Sequence, residues 1–126
     1  MGGDRSTTES VRTFETVRRD FDALLTAISE RSHPFYRLLL DIGELHAKKN
    51  QDYGSDIDPF ANVRASQEWG VRPWIGALVR LNDKVHRLKQ FVKKGSLANE
   101  SARDSMMDIA VYSLIALVLY DEEVSE

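Results

Sequence analysis

An all-α protein of four helices arranged as a bundle is what this sequence predicts, on three observations. Apolar residues recur at three- and four-residue steps in four separate stretches of chain. No segment alternates apolar and polar with the period of two that a half-buried strand needs. Only three prolines and seven glycines occur in 126 residues, and most of them fall between the periodic stretches, as helix punctuation should. At this length the chain is expected to form one domain with a core large enough to need no staples.

The first helix is predicted over about Thr7–Ser29. Ser6-Thr7-Thr8-Glu9 has the spacing of a capping box, and Val11, Phe14, Val17, Phe21, Leu24 and Ile28 follow at helical steps. Arg31-Ser32-His33 reads as a turn in which Ser32 or His33 caps the second helix and Pro34 opens it. That helix carries Phe35, Leu38, Leu39, Ile42, Leu45 and His46 on one side and should end near Asn50. An irregular connection from Gln51 to about Asn62 contains Gly54 and Pro59. A short helix over Asn62–Trp69 is stopped by Gly70. Pro73 then starts a third long helix with a stripe of Trp74, Leu78, Leu81, Val85, Leu88 and Val92, ending at Gly95. Asn99 or Ser101 caps the last helix, which reaches about Glu122. Its second half is apolar on almost every face, so other helices or a second subunit must cover it, and a homo-oligomer, dimer or tetramer, is expected. Residues 1-30 form an N-terminal helix with a packing role, and residues 31-126 the main all-α domain.

Composition excludes several classes of function. There is no cysteine, hence no disulfide, thiolate zinc site or cysteine nucleophile. With 17 basic and 20 acidic residues the formal charge is −3, which argues against a dedicated duplex-binding protein. The longest nearly apolar run, Val111 to Tyr120, is ten residues, about half of what a helix needs to cross a bilayer. Met1 to Ser6 fits the loose myristoylation pattern, but nothing else is membrane-directed, no signal-type apolar stretch follows, and a cytoplasmic location is expected. No Walker loop or dinucleotide-binding glycine fingerprint occurs.

The out-of-place polar groups carry the chemistry. Asp104 and Asp108, four apart, share a helix face that Tyr112 continues, and Asp108 sits among Met106, Met107, Ile109 and Val111. A carboxylate buried there needs something positive opposite it. The third long helix offers Arg80, Asp83, Lys84 and Arg87 at three- and four-residue steps. That strip is either a self-neutralising exposed face or, packed beside Asp104 and Asp108, a site where Asp83 joins them around Mg²⁺ and the cations face phosphates. At the end of the second helix Glu44 and Lys48 have the order of a surface ion pair, and Lys48-Lys49 suits the helix dipole. Asp52-Tyr53-Gly54 directly after the lysines fits a ring stacking on a base with cations near phosphates. The histidines form no site by spacing. Trp69 and Trp74 are expected to pack, with a lid over a base as the other reading, and the methionines to fill core.

Three blocks in order, Lys48-Lys49-Asn50-Gln51-Asp52-Tyr53-Gly54, then Leu78 to Leu88 (Leu-Val-Arg-Leu-Asn-Asp-Lys-Val-His-Arg-Leu), then Glu100 to Tyr112, resemble the nucleotide modification associated domain, type one, common in phages. That family is related to the all-α nucleoside triphosphate pyrophosphohydrolases, MazG-like enzymes and dimeric dUTPase relatives among them. The resemblance covers about Leu38 to Tyr120, roughly two-thirds of the chain. It implies a MazG-like four-helix bundle completed by oligomerisation, and a Mg²⁺-dependent cleavage of a nucleoside triphosphate to monophosphate and pyrophosphate. The larger superfamily holds metal on Glu-x-x-Glu and Glu-x-x-Asp motifs; here the first would fall at Arg80-Leu81-Asn82-Asp83 and the second at Ser105-Met106-Met107-Asp108, each keeping one acid.

On this reading Asp83, Asp104 and Asp108 hold the metal, and Glu44 is the catalytic base or a further ligand. Lys48, Lys49, Arg80, Lys84 and Arg87 bind phosphates, while Asn50, Asp52 and Tyr53 read the sugar or base. The alternatives are a nucleotide-binding or regulatory module without turnover, and a small helical interaction protein.

Overall fold

The computed structural model describes residues 2–53, 60–95 and 101–125, and the side-chain surroundings of 13–48, 60–61, 63–95 and 101–125. The chain is all-helical, with no strand among the described residues. Four long helices dominate: α1 (Gly2–Leu25), α2 (His33–Tyr53), α4 (Pro73–Lys94) and α5 (Ala102–Ser125), with a short α3 (Ala61–Arg64) between the second and third of them. No helix is long and apolar enough to cross a membrane among the described residues. Two compact units result, Met1–Asp52 and Tyr53–Glu126. The sequence-based division after residue 30 falls inside the first of these, between α1 and α2.

In the first unit α1 ends at Leu25, four residues before the end the periodicity predicts. The cause is local: Ala27 and Ile28 donate to the carbonyls of Leu24 and Leu25 in tightened three-residue turns, and the Thr26 hydroxyl takes the Ala23 carbonyl at 2.7 Å. At its other end α1 begins at Gly2, so Ser6 lies inside the helix and is not its cap. A 3₁₀ turn, Glu30–Ser32, leads into α2. His33 is the first residue of α2, and its Nε2 donates back to the Ile28 carbonyl at 2.9 Å, so the ring ties the turn together and does not cap the helix. The helices run antiparallel: Phe21 packs on Tyr36 with ring centroids 6.1 Å apart, and the Phe14 ring lies over Gly43. Leu25 is buried. α2 extends to Tyr53, past the predicted end at Asn50.

In the second unit the predicted short helix after Asn62 is split, α3 giving way to a 3₁₀ segment over Ala65–Trp69. Gly70 stops it with φ of 75°, and Gly95 ends α4 with φ of 77°, its N–H reaching the Phe91 carbonyl at 2.7 Å. Both positions need the left-handed conformation that glycine adopts without a Cβ penalty. Pro73 opens α4 as predicted. Of the two candidate caps for α5, Ser101 is the one used: its Oγ accepts the Asp104 backbone N–H at 3.0 Å.

α4 and α5 pack antiparallel along most of their lengths. Three- and four-residue steps along α5 run through Ser105, Asp108, Tyr112, Ile115 and Leu119, and along α4 through Ala77, Leu81, Lys84 and Leu88. Ser105, Val111, Ile115, Ala116 and Leu119 are buried on the first helix and Ala77 on the second, which makes this seam the core of the unit. At its far end the α5 terminus is tied down by four contacts. Arg64 pairs with Glu122 at 2.7 Å, Arg72 with Glu123 at 3.4 Å, the Trp74 indole N–H donates to Glu123, and the Trp74 and Tyr120 rings meet edge to face. Two expectations need correction. Trp74 packs, but Trp69 is 86% exposed, because it ends the 3₁₀ segment where the chain turns at Gly70. Met106 is also exposed, since it lies about 100° off the seam stripe next to Ser105.

Candidate functional site

Asp108 falls on the seam because it continues the Ser105 to Leu119 stripe of α5. A carboxylate on such a face must be neutralised or hydrogen-bonded. Lys84, at the matching position on α4, does this: its Nζ lies 3.0 Å from Asp108 Oδ2, and the two side chains are only 19% and 13% exposed. Of the four polar residues on the α4 strip, Lys84 is thus a cation that meets it. Arg80 precedes it by four residues and Arg87 follows it by three, so cationic side chains flank the pair on one side of α4. Both arginines are exposed.

Among the described residues, the expected metal carboxylates Asp83, Asp104 and Asp108 are not gathered into one group. Asp83 is exposed, one residue and about 100° away from the seam position that Lys84 occupies. Asp104 is exposed in the first turn of α5. Among the described residues no three His, Asp or Glu side chains come together so as to hold a metal ion. At Asp108 the positive charge comes from a lysine.

Glu44 lies in the first unit, on α2. Its Oε2 accepts a bond from Arg18 Nη2 at 2.6 Å, and its Oε1 lies 3.4 Å from Lys48 Nζ, the ion pair that the four-residue spacing suggests. The same Arg18 nitrogen reaches Asp41 Oδ1 at 2.8 Å. Asp41 and Glu44 are three residues apart on one helix face, and one guanidinium from α1 joins them. The hydrogen bond from Arg18, reinforced by Lys48, holds the Glu44 carboxyl below its ordinary range, which makes it a weaker proton acceptor than a free glutamate. The Arg18 guanidinium is held correspondingly more firmly in its charged form, chiefly by Glu44. Asp41 and Arg18 were not singled out in the sequence. The signal was there in two acids three apart on the second helix, which call for a cation on the first.

Lys49, Asn50, Asp52 and Tyr53 lie in α2, but their side chains fall outside the described residues, as does everything from Gly54 to Pro59. A concavity of about 390 Å³ along α4, lined by Val85, Leu88 and Val92 with His86, Lys89 and Lys93, is a feature no sequence motif indicated. Compared with known proteins, the chain matches no family model, no curated protein and no solved structure.

Two titrations among the described residues of the first unit contribute to its acid response. His46 is partly buried, and desolvation lowers its pKa from the usual 6.5, so the folded state holds fewer protons than the unfolded one just below that pH. Glu44 does the same below about 4.5. For both groups a depressed folded-state value means stability that is complete above the unfolded value and lost as pH falls. Melting temperature is expected to decline in two steps on acidification, one beginning near pH 6.5 and one below pH 4.5. His46→Gln should remove the first and Arg18→Met should weaken the second; a melting profile flat from pH 7 to 5 in the unmodified protein refutes the assignment.

Proposed function

We propose that the chain is a nucleotide-handling protein that cleaves a nucleoside triphosphate, a deoxynucleotide in a phage or bacterial pool, to the monophosphate and pyrophosphate with Mg²⁺. The observation that carries this is the Lys84–Asp108 pair on the seam. Replacing a largely buried ion pair by apolar residues often leaves stability unchanged or raises it, so charges kept on a packed face point to use. The pair also unites the second and third blocks of the resemblance, Lys84 lying in one and Asp108 in the other. Arg80 and Arg87 beside it supply the forked donors that match phosphate oxygens. Lys48 and Lys49 at the end of α2, with Asn50, Asp52 and Tyr53 after them, are the candidates for further phosphate, sugar and base contacts.

The proposal includes assembly as an oligomer in the cytoplasm. Leu114, Leu117 and Val118 of α5 are substantially exposed in the single chain, which favours their being covered by a second copy in a MazG-like bundle. The second reading, a nucleotide-binding module without turnover, is favoured by one observation: Asp108 is engaged by Lys84, with Asp83 and Asp104 exposed on either side of the seam.

Purified protein incubated with each canonical and modified triphosphate and Mg²⁺ should release pyrophosphate from at least one. Stabilisation by a non-hydrolysable triphosphate with no release from any substrate selects the binding module. No shift in melting temperature with any nucleotide removes both readings.

A further inference from the structure

Among the described residues of the first unit only Leu25 is buried, so this hairpin of two long helices has almost no interior of its own. Its apolar residues sit elsewhere. Phe35, Leu38, Ile42 and Leu45 of α2 follow one another at steps of three, four and three, the a and d positions of a heptad, and Leu39 widens the stripe. Phe35 is 64% exposed, Leu38 and Leu39 are exposed, and Ile42 and Leu45 are half-buried. α1 lies on another side of α2. It packs against Tyr36 and Gly43, and each of these follows a stripe residue by one position and so points about 100° away from it.

A heptad stripe calls for a helix as its partner, and the charges on its rim select which helix. Asp41 and Lys48 stand one heptad apart on the same flank, at the g position, with opposite charges. Two α2 helices laid antiparallel set g against g, so that Asp41 faces the partner's Lys48 and, by the two-fold axis, Lys48 faces the partner's Asp41. The same register sets Ile42 against the partner's Leu45. Because these pairs are centred near the middle of His33–Tyr53, the two helices overlap over nearly their full lengths. Both charges keep solvent-facing surface for such a contact: Asp41 takes Arg18 on one oxygen with its side chain 42% exposed, and Lys48 is exposed at 3.4 Å from Glu44.

We propose that the outer face of α2 is a docking surface for α2 of a second copy of this chain, laid antiparallel, so that two hairpins make a bundle of four helices. The surface uses different residues from the α5 face and does not rest on the nucleotide reading.

The test is sedimentation equilibrium of the full chain and of charge-reversed variants, each checked for unchanged helix content by circular dichroism. Asp41→Lys and Lys48→Glu each place two like-charge pairs in the dimer and should each weaken self-association about tenfold. Mixed in equal amounts, the two variants should associate with each other about as tightly as the unmodified protein does with itself, since each then meets the opposite charge. Leu38→Glu, in the stripe itself, should abolish association. An unmodified chain that stays monomeric up to about 1 mM overturns the proposal. So does self-association that neither charge reversal weakens, or a mixture that associates no better than its two components. Loss of association with Leu117→Glu but not with Leu38→Glu puts the second copy on α5 and overturns it as well. None of these readouts involves a nucleotide, so the proposal and the nucleotide reading stand or fall separately.

Discussion

Asp108→Ala is expected to cost the fold about 2–4 kcal/mol, because it takes the carboxylate at 3.0 Å away from the Lys84 ammonium on a packed seam. The range lies below that of a fully buried pair, since both side chains keep an edge to solvent at 19% and 13% exposure. Lys84→Met alone should cost less, as the Asp108 carboxylate can take a water at its solvent edge. The informative variant is the double one. Lys84→Met with Asp108→Leu replaces the pair by apolar side chains at seam positions and should recover most or all of the stability lost by Asp108→Ala. Urea unfolding of these proteins together with Asp108→Leu alone closes the cycle and gives the coupling. A protein that keeps full stability in the double variant but no longer responds to a triphosphate would separate the pair's functional role from any structural one. Stability of Asp108→Ala within about 0.5 kcal/mol of the unmodified protein would show that the pair is an ordinary surface contact.

Leu119→Ala has the other large expected effect. Leu119 is 3% exposed and lies on the same stripe as Val111 and Ile115, so truncation removes apolar contacts on the seam that forms the core of the second unit. Such a change costs about 2–5 kcal/mol, which for a chain of this size lowers the melting temperature by roughly 10 °C or more. Leu117→Ala, two residues earlier and 56% exposed, is the internal control and should cost well under half as much in the single chain. If Leu117→Ala proves as damaging as Leu119→Ala at high protein concentration, and milder on dilution, Leu117 is buried against a second copy.

The fold class and the second unit were largely legible in the sequence. Pro73 and Gly95 bound α4 because a fixed φ and a left-handed turn are properties of single residues, and so does Ser101 at the start of α5. The need for a cation against Asp108 was also legible, since it follows from one acid in an apolar stretch. Which cation meets it was not. Arg80, Lys84 and Arg87 share a strip on one helix, and only the register of α4 against α5 selects Lys84 and leaves Asp83 outside. The end of α1 was missed because the apolar steps continue through Ile28, while the backbone leaves the helix three residues before it in tightened turns. The Arg18 bridge was missed for a different reason: it joins helices whose partnership no motif announces, and each of its three members alone looks like ordinary charged surface.

The two ends of α5 are secured by different kinds of contact. Glu122, Glu123 and Tyr120 meet Arg64, Arg72 and Trp74, while at the opening turn the Ser101 hydroxyl takes the Asp104 N–H and Ser105 is fully buried. Fraying of the helix from residue 102 inward therefore has to uncover Ser105 before it reaches Asp108. Asp108 is the next charged tooth on the seam, so the grip of Lys84 upon it resists any opening that has come that far.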